Sequence, residues 1–181
     1  GQYLDLSYER RPDVNVGEYL GMISRKTGAL IRCALESGAM IGSGDPSITL
    51  AFRECGRSLG FLFQIRDDVL GIWGDQEATG KPVGADIQRK KSTLPLVYAM
   101  SQARGRNKEL LRSIYSDRVV GEKDVAAVME IMETVNAREY AESLAAEYSE
   151  SAIESLSGIE LAPDRLDAME QIVRFLLARQ H

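Results

Sequence analysis

Two adjacent aspartates, Asp67 and Asp68, sit inside the run GFLFQIRDDVLGIWGD (residues 60–75), whose other residues are largely apolar. Read as a helix, Gln64, Asp67, Asp68, Gly71 and Asp75 share one narrow sector, which Gly60 and Arg57 extend one turn back. A carboxylate pair on a helix buried on most sides is costly unless a cation meets it. Magnesium takes hard oxygen ligands of this kind; the plainer alternative pairs the acids with Arg53 or Arg57 on the same strip. Lys26 is the second candidate, because its helical neighbours are Met22, Ile23, Ala29 and Leu30. A lysine in that setting either snorkels to solvent or points into an internal polar cavity. The third is the glycine-punctuated stretch 74–92, with Lys81, Arg89, Lys90 and Lys91, which reads as a mobile cationic loop or as a solvated charge run. Together they offer what a diphosphate leaving group needs, since metals and fixed cations stabilise the charge that develops on it.

Helices must position these groups. Residues 2–9 read as the end of a helix, followed by a turn over residues 10–13. Asn15 and Glu18 have the spacing of a capping box, and the helix they open is expected to run to about Gly38. Gly42–Pro46 is a break in which Asp45 caps and Pro46 suits the first helical position. A long helix from about Ser47 to Trp73 then carries the aspartate pair. Beyond the cationic stretch, residues 93–103, 108–116, 122–156 and 163–180 repeat apolar residues at three- and four-residue spacing, and no alternating strand pattern occurs.

Composition narrows the function classes. A chain of 181 residues, 44% hydrophobic, can bury one sizeable core, so a single all-α domain over residues 1–181 is expected. A net charge of −5 with no basic stripe argues against nucleic acid. No run approaches the roughly 18 apolar residues of a membrane span, so no stable membrane insertion is expected. Cys33 and Cys55 read as separate buried thiols, which fits a reducing cytoplasm. The sole histidine is His181, which removes histidine-based triads and histidine-ligated zinc from consideration. The chain opens on what reads as mid-helix without a methionine, the pattern expected of a fragment.

Phe63-Gln64-Ile65-Arg66-Asp67-Asp68, followed by Gly80-Lys81, Asp86, Lys91 and Thr93-Leu94-Pro95, resembles the second aspartate-rich region of the trans-isoprenyl diphosphate synthases, the polyprenyl synthetase family. Lys26-Thr27 is similar to that family's lysine-threonine pair, and Gly1-Gln2 with Asp5 to its glycine-glutamine-x-x-aspartate helix. The motifs stand in the family's order and cover residues 1–95. The resemblance implies an isoprenoid synthase-type helical bundle, incomplete here because the N-terminal helices are absent, and a short-chain enzyme of the geranylgeranyl or farnesyl type. Such an enzyme condenses isopentenyl diphosphate with an allylic diphosphate, using Mg2+. Carried over position by position, Asp67 is a metal ligand with Asp68 beside it. Lys26, Lys81 and Lys91 hold the allylic diphosphate, Thr27 and Gln64 line the path of the cation, and Gln2 and Asp5 join the substrate site. Gly71 stands where the family motif has its last aspartate, so the resemblance implies a third carboxylate that is either dispensable or supplied by Asp75. The first aspartate-rich motif is not among these residues, so the stretch alone is expected to be inactive, and an exposed apolar wall is expected to drive dimerisation. The competing readings are a non-catalytic subunit of the same fold, a helical interaction module without a ligand, and a related cyclase.

Overall fold

The computed structural model describes residues 1–9, 11, 13–116 and 119–179, and among them it contains helices and no strand. In chain order these are α1 (Gln2–Tyr8), α2 (Val16–Arg25), α3 (Thr27–Ser43), α4 (Pro46–Trp73), α5 (Gln76–Thr79) and α6 (Ala85–Gln88). There follow α7 (Leu94–Gln102), α8 (Gly105–Ser116), α9 (Glu122–Thr134), α10 (Ala137–Glu154) and α11 (Pro163–Ala178).

Local chemistry sets several of these ends. The Asn15–Glu18 capping box forms in both directions: Glu18 N–H donates to Asn15 Oδ1 at 2.9 Å, and Asn15 N–H donates to Glu18 Oε2 at 3.1 Å. Asp45 accepts from Ser47 N–H at 2.7 Å, and Pro46 begins α4. Asp75 caps α5.

The expected helix from residue 15 to residue 38 is instead two. Lys26 adopts φ −87° and ψ −87°, off the helical values, and α3 restarts at Thr27. The apolar period runs unbroken through this point, so the pattern alone gives no sign of the break. The expected helix over 122–156 also divides, at Asn136, whose left-handed backbone (φ 54°) an asparagine tolerates better than most residues. The cationic stretch is only partly a solvated loop: Lys81 to Val83 are exposed, whereas Ala85, Asp86 and Ile87 are buried.

The helices fall into two compact units. One gathers Gly1, Ile23–Arg66 and Ser143–Arg179; its interior includes Ile23, Cys55, Leu59, Leu62, Ile65, Ala152, Leu156 and Val173, with Phe61 stacked on Tyr148 at 4.6 Å. Burial pushes the Cys55 thiol up to about 11, as expected of an inert core cysteine, but Cys33 is exposed. The other unit contains Gln2–Met22 and Asp67–Glu142. There α7, α8 and α9 pack on one another and α6 packs on α9, around Ile72, Ile87, Leu96, Leu111, Ile114, Val128 and Met132. Tyr98 stacks on Tyr140 at 3.9 Å, and Arg138 lies over the Trp73 ring. No helix among the described residues is long and apolar enough to cross a membrane.

Candidate functional site

Within the second unit, three carboxylates converge on one ammonium. Lys91 Nζ lies 3.0 Å from Asp86 Oδ2, 3.3 Å from Asp68 Oδ1 and 3.5 Å from Asp67 Oδ2. The loop that delivers Lys91 is pinned by its own backbone: Lys91 N–H donates to the Asp86 carbonyl at 2.9 Å, and Gly84 N–H donates to the Ile72 carbonyl at 2.9 Å.

The two aspartates of the pair have different surroundings. Asp68 is 1% exposed and fully engaged: its Oδ2 accepts from the Tyr19 hydroxyl and from Leu94 N–H at 2.8 Å, and its Oδ1 faces Lys91. Leu94 begins α7, and the Thr93 side chain forms no capping bond, so Asp68 supplies an acceptor and a negative charge at the start of that helix. Asp67 is 39% exposed and touches Lys91 only at the longest of the three distances. Burial pushes the Asp68 carboxyl above the usual carboxylate range, against the pull of Lys91, Tyr19 and the Leu94 amide. Burial works against the Lys91 ammonium as well, but the fields of Asp68, Asp86 and Asp67 outweigh it and hold its proton above the usual lysine range. The Tyr19 phenol, buried and bonded to a carboxylate, is raised well above its ordinary value.

Asp86 occupies the space that a side chain at position 71 would need. A Cβ added to Gly71 would lie 2.2 Å from Asp86 Oδ2, so the carboxylate can sit there only because position 71 is glycine. Asp75, the expected third carboxylate, stands apart from this ammonium, at the start of α5. Asp75 is exposed and its Oδ1 accepts from Glu77 N–H at 3.0 Å, as the cap of α5. The carboxylate that joins Asp67 and Asp68 at Lys91 is Asp86.

In the other unit, Thr27 Oγ1 donates to Gln64 Oε1 at 2.6 Å, which fixes the orientation of the Gln64 amide. The two side chains meet because α3 and α4 approach at their glycines: a Cβ on Gly60 would lie 2.5 Å from Gly28 Cα. Lys26, half-buried, stands at the break just before Thr27. Arg53 and Arg57, the plainer partners considered for the aspartates, pair with Glu36 and Glu54. Of the remaining expected residues, Lys81 and Gln2 are exposed, and Asp5 is half-buried on α1, close enough for its charge to act on Tyr19.

Sequence reasoning missed Tyr19 and gave Asp86 no role. A buried tyrosine hydroxyl needs a polar partner, and that was the available signal for Tyr19. Among the described residues no group of three or more acidic, histidine or cysteine side chains holds a metal ion unaided. Of the three carboxylates at Lys91, Asp67 is the most exposed, and so the oxygen donor that a hard divalent cation can reach.

The polyprenyl synthetase family model matches residues 1–132. A short chain isoprenyl diphosphate synthase of Methanothermobacter thermautotrophicus is 41% identical over 181 residues, which is all of this chain and 55% of that protein. A polyprenyl synthase from Caulobacter crescentus, solved with calcium and isoprenyl diphosphate, superposes with a TM-score of 0.90 at 30% identity, covering 99% of this chain and 55% of that one. A geranylgeranyl pyrophosphate synthase from Corynebacterium glutamicum, solved with isoprenyl diphosphate and magnesium, gives a TM-score of 0.88 at 27% identity over 98% of this chain and 51% of that one. The chain spans about half the length of the relatives it matches.

Proposed function

Because the chain belongs to the polyprenyl synthetase family, we propose that the protein carrying it is a prenyltransferase. It condenses isopentenyl diphosphate with an allylic diphosphate to make a short-chain prenyl diphosphate of the farnesyl-to-geranylgeranyl class. The observation that carries this reading is the meeting of Asp67, Asp68 and Asp86 at Lys91. Such a cluster stores a cation beside a half-open carboxylate, ready for a ligand with several negative oxygens.

In this reading Asp67 holds the metal and Asp68 positions Lys91 and the start of α7. When bound, Mg2+ offsets the charge that develops on the diphosphate as it leaves. Lys91 and Lys81 bind diphosphate oxygens, and Lys26 does so beside the reacting carbons. The carbon–oxygen bond of the allylic substrate breaks, the terminal alkene carbon of isopentenyl diphosphate bonds to the allylic carbon, and a proton is lost to restore a double bond. Thr27 and Gln64 present oxygens that stabilise positive charge without capturing it, and the Thr27 hydroxyl keeps the Gln64 carbonyl aimed. These 181 residues carry one of the family's two aspartate-rich motifs, so turnover is assigned to the intact protein and not to this stretch alone. There the remaining chain or a second copy covers the apolar residues exposed on α1 and α3, in a homodimer without stable membrane insertion.

The test is prenyl transfer by the intact protein with Asp67→Ala. Loss of a metal ligand should lower kcat/KM by about two orders of magnitude or more, while the melting temperature stays near that of the parent because Asp67 is 39% exposed. Wild-type rates in this variant would sink the metal assignment.

A further inference from the structure

Tyr19 lies in the first turn of α2, and the cap of that helix fixes its place. Its N–H donates to the Asn15 carbonyl at 3.0 Å, beside the capping box that Asn15 forms with Glu18. The residue is 1% exposed. A phenylalanine would fill the same space with no hydroxyl to desolvate, so the hydroxyl has to be accounted for by what it bonds. Its partner is Asp68 Oδ2, 49 residues away. Oδ2 also accepts from Leu94 N–H at 2.8 Å, while Oδ1 faces Lys91 Nζ at 3.3 Å. Two donors on one oxygen, one from α2 and one from the start of α7, set the plane of the carboxylate and so the direction of Oδ1. A single donor would leave the carboxylate free to turn about its last side-chain bond.

Lys91 Nζ has three protons and, within 3.5 Å, three carboxylate oxygens. These partners are not equivalent. The side chains of Asp68 and Asp86 are 1% and 6% exposed, against 39% for Asp67, which also stands at the longest distance. An anion arriving from solvent meets Lys91 on the Asp67 side, so the proton facing Asp67 is the one open to exchange. The ammonium keeps its position through that exchange only if its buried contacts hold. Asp86 is seated against Gly71, and Asp68 is seated by Tyr19 and Leu94. We propose that Tyr19 is a positioning residue, a role that rests on the function proposed above: by holding Asp68 Oδ2 it keeps Oδ1 on Lys91, which stays anchored while its Asp67-facing proton passes to a diphosphate oxygen.

The test is a calorimetric titration of the intact protein with inorganic diphosphate in the presence of Mg2+, for the parent, Tyr19→Phe, Lys91→Gln and the double variant. KM and kcat for the allylic diphosphate are measured alongside. Tyr19→Phe keeps the buried ring and deletes one hydroxyl, so the fold is retained. Its Kd for diphosphate should rise about tenfold, the scale of one hydrogen bond to a charged group. KM should rise with it, and kcat should change by less than about twofold. In the Lys91→Gln background, where the ammonium is already gone, the same substitution should add nothing to Kd. Parental Kd and KM in Tyr19→Phe, even with a lowered melting temperature, would overturn the assignment and leave the hydroxyl a purely structural role. A tenfold loss that persists without Lys91 would overturn it too, since the effect would then travel by another route. A parent protein that binds no diphosphate with Mg2+ sinks the functional reading itself, and the inference with it. A parent that binds beside an unaffected Tyr19→Phe sinks the inference alone.

Discussion

A carboxylate that already accepts from a phenol, a backbone amide and an ammonium has few lone pairs left for a metal, and this separates Asp68 from its neighbour in chemical terms. Asp68→Ala would strand the Tyr19 hydroxyl, the Leu94 amide and part of the Lys91 charge in a buried setting. Its expected cost is about 3 kcal/mol or more by denaturant unfolding, and near-parental stability would mean that Asp68 has no structural role. The same cluster predicts an alkaline limit. Lys91 and Tyr19 both have folded-state pKa values above their ordinary ones. The folded state therefore keeps protons that the unfolded chain gives up above about pH 10. Stability is intact below that pH and falls as pH rises through it, by up to about 1.4 kcal/mol per pH unit for each group. Urea unfolding between pH 8.5 and 11 would show this, and Tyr19→Phe should make the decline shallower. An unchanged slope in that variant would exclude Tyr19 from the linkage.

At the scale of elements, the contact that matters most to the Thr27–Gln64 pair is the glycine crossing of α3 and α4. A Cβ at position 60 meets backbone, not a side chain able to rotate away, so Gly60→Ala has to spread the two helices. About 2–3 kcal/mol of destabilisation is expected from such overpacking, together with loss of the 2.6 Å Thr27–Gln64 bond. An unfolding midpoint equal to the parent would show that the helices yield freely. The helix starts were legible in the sequence because their causes are local: Asn15 and Glu18 are three residues apart, and Asp45 directly precedes Pro46. The breaks at Lys26 and Asn136 were not, because the apolar spacing continues through both and tertiary packing decides the backbone there. The burial of 85–87 was hidden for a related reason: three basic residues follow at 89–91 and set the apparent character of the whole segment, while Ile87, at 1% exposure, is the part that packs.

Across the whole molecule, what the sequence carried best was the list of charged motif residues, and what it carried least was which of them meet. Tyr19 and Asp68 are 49 residues apart, and Leu94 lies 26 beyond Asp68; no periodicity links positions at such separations. Family resemblance supplied the order of the motifs, but the seat of Asp86 against Gly71 follows from the fold alone. One consequence belongs to the chain as a whole. On α3, Leu30 and Ile41 are 75% and 83% exposed, and eleven residues of helix turn back to nearly the same face, with Met40 at 59% beside them. Large aliphatic side chains exposed along one helix face favour burial against another surface. The 181-residue chain is therefore expected to self-associate, with a sedimentation coefficient that rises over the micromolar range, and Leu30→Glu with Ile41→Glu should shift it toward the monomer without lowering its unfolding midpoint, since neither side chain is buried. Concentration-independent sedimentation as a monomer would show that this face needs no cover, and self-association that survives both substitutions would place the contact on another surface.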